Sequence, residues 1–201
     1  MRRIAVATLL LAVACSSRQK GAAPAPGREH VAPAVAGTPR AGETVLELDL
    51  NHDGRPDVWS YSVGGADGKD IAVRKEKDLN NDGKIDSWEE YEPDGALAKL
   101  TYDMDFDTKP DVTLFFEKDQ LVRKAYAFGF DGVPHSFNHY EKGKLARKER
   151  DTNGDGRIDT WEYWEDGQVD RVGLDLDGDG QVERWENRRA APGPESEPVT
   201  R

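Results

Sequence analysis

Short runs of aromatic and β-branched residues alternate with polar stretches through the middle of the chain. Such runs occupy residues 58–61 (VWSY), 113–116 (TLFF) and 160–164 (TWEYW), and glycine turns such as 92–95 (EPDG) and 141–143 (EKG) separate others. Runs this short, and this rich in aromatic and β-branched side chains, favour strands and leave no room for pairs of helices. The pattern predicts an all-β fold built as a repeat array of antiparallel hairpins.

The polar stretches recur at a nearly fixed interval. Their first residues are separated by 29, 25, 24, 24 and 24 positions. A fixed period in this range indicates one supersecondary unit that is copied and stacked. We number the stretches loops 1 to 6 and count positions from their first residues: Asp49, Asp78, Asp103, Ala127, Asp151 and Asp175.

The residues beside the loops repeat with them. An apolar residue stands six positions before each of the last four loops: Leu97, Leu121, Leu145 and Val169. A basic residue, in what we call the basic column, stands four positions before each of the last five: Arg74, Lys99, Arg123, Arg147 and Arg171. Position 11 is mostly aromatic: Trp59, Trp88, Thr113, Phe137, Trp161 and Trp185.

Each repeat therefore contains a strand, a loop, a second strand and a tight turn. This predicts a meander of up to twelve short strands over residues 44–187, with all six loops along one edge. Neighbouring loops would then lie two strands, or about 10 Å, apart. Open sheets seldom exceed about ten strands without curling, so we expect an array that either curls strongly or closes on itself.

Loop 5, residues 151–162, places carboxylate or amide oxygens at positions 1, 3, 5, 9 and 12 and a glycine at position 6. Hard oxygen ligands on a loop that turns sharply at a glycine suit Ca²⁺. Four loops carry the pattern at positions 1, 3, 5 and 9: Asp49, Asn51, Asp53 and Asp57; Asp78, Asn80, Asp82 and Asp86; Asp151, Asn153, Asp155 and Asp159; Asp175, Asp177, Asp179 and Glu183. The backbone carbonyl at position 7 is expected to add a ligand: Arg55, Lys84, Arg157 or Gln181.

Two loops depart from this pattern. Loop 3 keeps its acids, but Thr108 replaces the glycine, which predicts a strained turn and weaker binding; its acids are Asp103, Asp105, Asp107 and Asp111. Loop 4 keeps only Asp131 and Gly132 and has Ala127, Gly129 and His135 at ligand positions, so we interpret it as a structural relic.

Three loops have a glutamate at position 12: Glu89, Glu162 and Glu186. In a strand this residue lies roughly 10 Å beyond position 9, so it is a weaker ligand candidate. We expect these glutamates to pair across strands with the basic column instead.

The loops resemble the Asp-x-Asn/Asp-x-Asp-Gly calcium sites of EF-hands, dockerins and the hairpin loops of integrin-like propellers. The resemblance implies bound Ca²⁺. Dockerin loops are followed by an apolar helix, whereas Trp-Glu-x-Tyr and a glycine turn follow here. The alternative is that Asp-Gly and Asn-Gly serve only as turn residues, but four adjacent acids repel one another unless a cation neutralises them.

The first residues indicate export. Two arginines, an apolar run from Ile4 to Ala14 and then Cys15 are typical of a signal peptide over residues 1–14. Residues 11–15 (LAVAC) resemble a bacterial lipobox, which implies lipid attachment at Cys15, the single cysteine, and Ser16 implies sorting to the outer membrane. Residues 15–43 and 188–201, rich in Ala, Pro and Gly or in polar residues, are predicted to be a disordered linker and tail.

Charge and the missing motifs narrow the function. The chain has 28 basic and 39 acidic residues, a net charge of −11, which argues against nucleic-acid binding and suits a protein that collects cations. The four histidines form no zinc signature and no nucleophile motif is present, so we expect no enzyme and rank a hydrolase last. The sequence favours a calcium-binding, lipid-anchored envelope protein with a structural or adhesive role. The alternative is a module that recognises an unknown protein or glycan and uses Ca²⁺ only for rigidity.

Overall fold

The computed structural model describes residues 36–66, 68–129 and 131–188. Within these ranges all regular structure is β, and there is no helix that could cross a bilayer. The predicted signal peptide, Cys15 and the residue 189–201 part of the tail lie outside the described residues. The twelve strands are β1 Glu43–Leu48, β2 Val58–Gly64, β3 Asp70–Lys77, β4 Ser87–Tyr91, β5 Leu97–Tyr102, β6 Val112–Glu117, β7 Gln120–Tyr126, β8 Ser136–Glu141, β9 Lys144–Arg150, β10 Thr160–Glu165, β11 Gln168–Leu174 and β12 Arg184–Asn187.

The strands form one sheet in which each strand pairs only with its neighbours in sequence, antiparallel throughout. The predicted all-β meander is confirmed. Because β1 and β12 are the two edges and do not pair with each other, the sheet is open rather than closed into a barrel.

The connections at the two edges of the sheet differ in length. The six loops each contribute nine residues, positions 1 to 9, between an odd strand and the next even strand, so all lie at the same edge. The opposite edge carries tight turns of two residues in the last three hairpins, such as Lys142-Gly143, where both φ angles are positive. The predicted alternation of long loops and tight turns is therefore correct.

A register shift recurs near the tight-turn end of five hairpins, for example between Phe115 and Phe116. One extra residue in a strand increases the local twist. Beyond the shift, the apolar residue six positions before each of the last four loops meets an aromatic residue; these pairs are Tyr91–Leu97, Phe116–Leu121, Tyr140–Leu145 and Trp164–Val169. The apolar repeat thus closes the end of each hairpin.

A buried cluster lies at the N-terminal end of the sheet, where Trp59, Tyr61 and Ile85 pack together. Ala36 packs against this cluster, and the Thr38 carbonyl accepts a 2.9 Å hydrogen bond from the Arg74 guanidinium. Residues 36–43, predicted as part of the disordered linker, therefore belong to the fold. The Ala/Pro/Gly-rich composition hid this, because a backbone contact and one alanine leave little trace in a sequence pattern.

The basic column packs mainly on aromatic rings. The guanidinium carbon of Arg74 lies 3.3 Å from the ring centre of Tyr61, and that of Arg123 lies 3.9 Å from Phe115. A planar guanidinium over an aromatic face gains both stacking and cation–π attraction. The column therefore stabilises the strand frame rather than serving position 12.

Candidate metal loops

Position 1 of each acidic loop holds the loop together from inside. Its carboxylate accepts backbone N–H bonds from positions 4 and 6; Asp78, for example, accepts from Asn81 and Gly83, both at 2.7 Å. Loops 1, 3, 5 and 6 repeat this pair of bonds at 2.6–2.9 Å. The first aspartate thus bends the backbone into a ring around itself.

The remaining oxygen positions are held by bonds of the same kind. In loop 2 the Asn80 side-chain oxygen accepts from the Asp82 amide, and the Asp82 carboxylate accepts from Lys84, both at 2.9 Å. The Asp86 carboxylate at position 9 reaches back to the Leu79 amide at 2.7 Å. Because each ionised carboxylate has about four acceptor sites, these bonds orient the oxygens and leave capacity for a cation.

Two loop positions require a left-handed backbone. Position 6 does so in every loop, mostly with glycine, but Thr108 in loop 3 has φ of 77°. A β-branched residue in this region is strained, as predicted for this loop. Position 4 is also left-handed, at Asn81 for example, and the sequence reasoning missed it. The signal that could have revealed it is the glycine at position 4 of loops 5 and 6, Gly154 and Gly178.

Loop 6 and loop 3 bring carboxylates closest together. In loop 6 one oxygen from each of its four acids lies within 4.8 Å of the others: Asp175, Asp177, Asp179 and Glu183. In loop 3 the same holds for three acids: Asp103, Asp105 and Asp111. The Oδ1 atom of Asp111 is buried and has no hydrogen-bond partner among the described residues. A buried carboxylate oxygen without a partner is costly, so loop 3 has more need of a cation than its sequence suggested.

An asparagine occupies position 3 in loops 1, 2 and 5. In loop 1 the Asn51 side-chain nitrogen donates to Asp57 at 3.2 Å and to Asp53 at 3.3 Å. The amide nitrogen therefore covers the acids that a cation would otherwise neutralise. The Asn51 oxygen accepts from the Asp53 amide at 2.8 Å, so a cation bound in loop 1 would have to displace only the two contacts of the amide nitrogen with these acids.

Burial of the acids at positions 1 and 9 favours a bound cation. The carboxylates at positions 1 and 9 are mostly buried, and Asp86 is 1% exposed. Burial raises the pKa of Asp86 and of Asp103. Burial also acts to raise the pKa of Asp151, but the amides of Gly156 and Gly154 and the His135 imidazole outweigh it, so this pKa is lowered. At Asp175 burial acts in the same direction, and the backbone amides of its loop outweigh it and lower the pKa.

The loops are joined to one another through the backbone. The amide at position 1 of each loop after the first donates to the position 9 carbonyl of the preceding loop, as Asp175 does to Asp159 at 2.9 Å. The other four bonds measure 2.7–2.9 Å. Side chains add contacts, since Asn51 donates to Asn81 at 3.0 Å and Arg157 to the Gly178 carbonyl at 2.8 Å. We call the four oxygen positions of an acidic loop, positions 1, 3, 5 and 9, its cage. The loops therefore form one continuous row of cages, with loop 4 as a link between loops 3 and 5.

Loop 4 keeps the frame but not the cage. Asp131 accepts from the Val133 amide at 2.8 Å, as position 5 does elsewhere. His135 replaces the position 9 acid, and its Nε2 and Nδ1 lie 3.3 Å from Asp131 and 3.2 Å from Asp151 of loop 5. Burial acts to lower the pKa of His135, but the two carboxylates outweigh it and raise this pKa. In loop 4 the His135 imidazole thus stands between two carboxylates, at the position where the other loops carry an acid.

The position 12 glutamates lie in strands and have ion-pair partners. Glu89 pairs with Lys77, and Glu162 pairs with Arg150. Glu186 pairs with Arg188 at 2.8 Å. The expectation that they pair with the basic column is wrong, because in loops 2 and 5 the partner is the basic residue directly before the loop. To bind an ion they would have to leave these pairs.

Comparisons with known proteins give no family. No protein-family model and no curated protein matches the chain. Two solved structures share part of its shape. One is a structure of accessory secretory protein 1, 2 and 3 in Streptococcus pneumoniae, at 16% identity and a TM-score of 0.33, covering 63% of this chain and 20% of that one. The other is a point mutant of S. aureus TarM in complex with fondaparinux, alpha-GlcNAc-glycerol and UDP, at 10% identity and a TM-score of 0.32, covering 62% and 20%. Likenesses at this level carry no argument about function.

Proposed function

We propose that this protein is a calcium-binding module of an exported, lipid-anchored envelope protein, with a structural or adhesive role. The observation that carries the proposal is the repetition of one cage: five loops orient side-chain oxygens at positions 1, 3, 5 and 9 with the same set of backbone bonds. A turn needs only one or two such residues, so the full set of four in each loop supports a bound ion.

Calcium suits these loops better than other common cations. Ca²⁺ accepts six to eight oxygen ligands in flexible geometry, whereas Mg²⁺ demands a near-octahedral site. Each cage supplies four side-chain carboxylates or amides, and the position 7 carbonyl and water would complete the shell. The orphaned Asp111 oxygen in loop 3 supports a fifth, weaker site.

The position of the cages in the sheet supports a structural role. Every cage joins two strands, and the cages are bonded to each other along the loop edge. Ions bound only by the folded state stabilise that state by mass action. A row of bound ions would therefore rigidify an open sheet that has one compact buried cluster at its N-terminal end. Lipid attachment at Cys15, in the sequence segment that precedes residue 36, is tested by incorporation of labelled fatty acid, which Cys15→Ser must abolish.

The test of calcium binding is a calorimetric titration of the full chain carrying Cys15→Ser. We expect at least four bound Ca²⁺ ions. The double variant Asp175→Asn/Asp179→Asn should remove one of them, because it takes two carboxylates from loop 6. The matched control is Asp131→Asn, the same change at position 5 of loop 4, and it should remove none.

Two results contradict the proposal. One is no binding heat at millimolar Ca²⁺. The other is an equal loss of sites in the loop 6 variant and in the loop 4 control, since binding would then follow total charge rather than the cages.

A second candidate is recognition of a glycan or protein, favoured by an exposed tryptophan that lies beside a tyrosine. Trp185 in β12 is 49% exposed, and its ring centre lies 5.8 Å from that of Tyr163. Arg171 lies over both rings, at 4.7 and 5.1 Å. Such a platform can stack on a sugar ring. Saccharide-dependent quenching of tryptophan fluorescence that is lost in Trp185→Ala and kept in Leu46→Thr would support it; no quenching with the intact chain would reject it.

A further inference from the structure

The last strand, β12, lacks the partner that every other even strand has. In the five hairpins with a tight turn, positions 10 to 13 of one loop pair with the last four residues before the next loop, always in the same register. The strand β12 consists of these same four positions of loop 6, and no odd strand of the described residues pairs with its outer edge. One edge of the sheet is therefore an even strand without its odd neighbour.

The first strand, β1, has the converse gap. Every other odd strand pairs with the even strand before it, but β1 has no such neighbour among the described residues. The segment before β1 does not fill this place, because Ala36 packs on the buried cluster and Thr38 bonds to Arg74 of β3. The last four residues before loop 1 are residues 45–48 (VLEL). In the register of the repeat, these are the residues that β12 would pair with.

The backbone groups at the two edges are complementary. Within the sheet, the position 1 amide of each loop donates to the position 9 carbonyl of the loop before it. Among the described residues this leaves the Asp49 amide of loop 1 and the Glu183 carbonyl of loop 6 without a backbone partner. The Glu47 amide and carbonyl also point away from β2, because the Leu48 carbonyl accepts from Asp57 and consecutive residues of a strand alternate in direction. The edge of β1 thus offers the donor, and the edge of β12 the acceptor, that join neighbouring loops elsewhere.

The side chains at the two edges complete a pair that occurs inside the sheet. In two hairpins the aromatic residue at position 11 faces a glutamate two residues before the next loop; these pairs are Trp59–Glu76 and Phe137–Glu149. Both aromatic residues are buried, whereas Trp185 at position 11 of loop 6 is 49% exposed. The residue two positions before loop 1 is Glu47, which is also exposed. Pairing in the repeat register would set Glu47 opposite Trp185 and cover the tryptophan.

We infer that copies of this chain associate head to tail, with β12 of one copy pairing antiparallel with β1 of the next and continuing the sheet. An unpaired strand edge is a template for another strand, and a second copy is the occupant that supplies the register, the donor and the glutamate. The expected pairs are Arg184–Leu48, Trp185–Glu47, Glu186–Leu46 and Asn187–Val45. Because the two surfaces differ, the contact is heterologous and produces a filament, or a ring if the rotation between copies closes. This contact does not depend on the proposed calcium binding.

The test is disulfide cross-linking between two forms of the full chain, both carrying Cys15→Ser. Leu46→Cys and Glu186→Cys lie directly opposite each other in the proposed register, where Cα atoms are about 4.5–5.5 Å apart and a disulfide can form. Under mild oxidation their mixture should give a dimer at much higher yield than either variant alone. The samples contain high salt, because the acids of loops 6 and 1 become neighbours in this contact and repel one another unless they are screened.

The matched control mixes Leu46→Cys with Asn187→Cys. Asn187 is the residue next to Glu186 in β12, so its side chain points to the opposite face of the sheet. This offset mixture should give little dimer.

Sedimentation velocity of single variants in the same Cys15→Ser chain tests the backbone pairing without added cysteines. Glu47→Pro removes the outward amide of β1 and leaves the bonds between β1 and β2 in place, so it should prevent assembly. Glu47→Ala keeps the amide and should form larger oligomers than Glu47→Pro at the same concentration. The apolar run at residues 4–14 is common to both variants, so the difference between them is the readout.

Three results would overturn the head-to-tail contact. One is a matched mixture that gives no more dimer than the offset mixture. Another is a high yield of dimer from Leu46→Cys alone, because it would assign the edge of β1 to a symmetric contact between two β1 strands. The third is equal oligomer size in Glu47→Pro and Glu47→Ala. If Glu47→Pro fails to fold, which a thermal melt detects, the cross-linking result decides alone.

Discussion

Loops 4 and 6 have the same length, the same left-handed turn at position 6 and the same backbone bond to a neighbouring loop, but opposite chemistry. Loop 6 gathers four carboxylates, whereas loop 4 has one and an imidazole. The pairing of the strands therefore does not need the acids. Where the acids are lost the hairpin persists, so the acids of the other loops, although they also hold the loop backbone, are not needed to form the hairpin.

The largest effect expected from this difference is on stability with and without calcium. With free Ca²⁺ at 100 times the dissociation constant, each site adds about 2.7 kcal/mol to the free energy of unfolding, so four sites add about 11 kcal/mol. Urea unfolding followed by tryptophan fluorescence, in saturating Ca²⁺ and in chelator, measures this difference. Equal midpoints in the two conditions would mean that the cages are occupied in neither.

The next largest effect concerns the residue at position 9, which is an acid in loop 5 and a histidine in loop 4. Asp159→Ala should cost about 2–3 kcal/mol even in chelator, because the buried carboxylate holds the Thr152 amide and hydroxyl. His135→Ala should cost less, about 1 kcal/mol, because it removes two longer contacts. Chemical denaturation in chelator compares them, and an equal or larger cost for His135→Ala would contradict the ranking.

Loop 3 tests strain at position 6. Thr108→Gly should stabilise the chain by about 1 kcal/mol, since glycine adopts a φ of 77° without steric cost. It should also tighten calcium binding to loop 3. The same substitution at Thr152, away from a left-handed position, is the control and should not stabilise; a thermal melt in chelator distinguishes the two.

The smallest expected effect concerns an ion pair that lies away from the loops. The Arg74 guanidinium lowers the pKa of Glu43 from its usual 4.5, against the effect of burial. A lowered pKa in the folded state means that this carboxylate contributes stability above pH 4.5 and loses it as the pH falls through the folded value. Glu43→Gln should therefore lose less stability than the native chain as the pH falls from 4.5 to about 3 in chelator. An identical acid slope in both would show that this pair does not contribute.

Much of the fold was accessible from the sequence because the repeat shows the same unit six times. The interval between loops, the short aromatic runs and the glycine turns together determine a twelve-stranded meander. The features that the sequence did not reveal are side-chain contacts, because a repeat pattern does not identify which side chains meet. Arg74 in the basic column lies over the Tyr61 ring, and the side chain of Arg150 pairs with Glu162.

The cage was predictable in its ligand positions but not in its details. Left-handed backbone at position 4 is visible only where glycine marks it, and His52 and Phe106 adopt it without such a mark. The link from His135 to Asp151 joins two loops, so neither loop alone predicts it. Strain at Thr108, in contrast, followed from residue type and turn position alone.

Occupancy of the loops by calcium is tested most directly by a crystal structure of the full chain soaked in Ca²⁺. We predict ions in loops 1, 2, 5 and 6 in a row, with loop 5 coordinated by Asp151, Asn153, Asp155 and Asp159 while Glu162 stays paired with Arg150. Empty cages at millimolar Ca²⁺, or an ion in loop 5 held by Glu162 in place of Asp159, would contradict it.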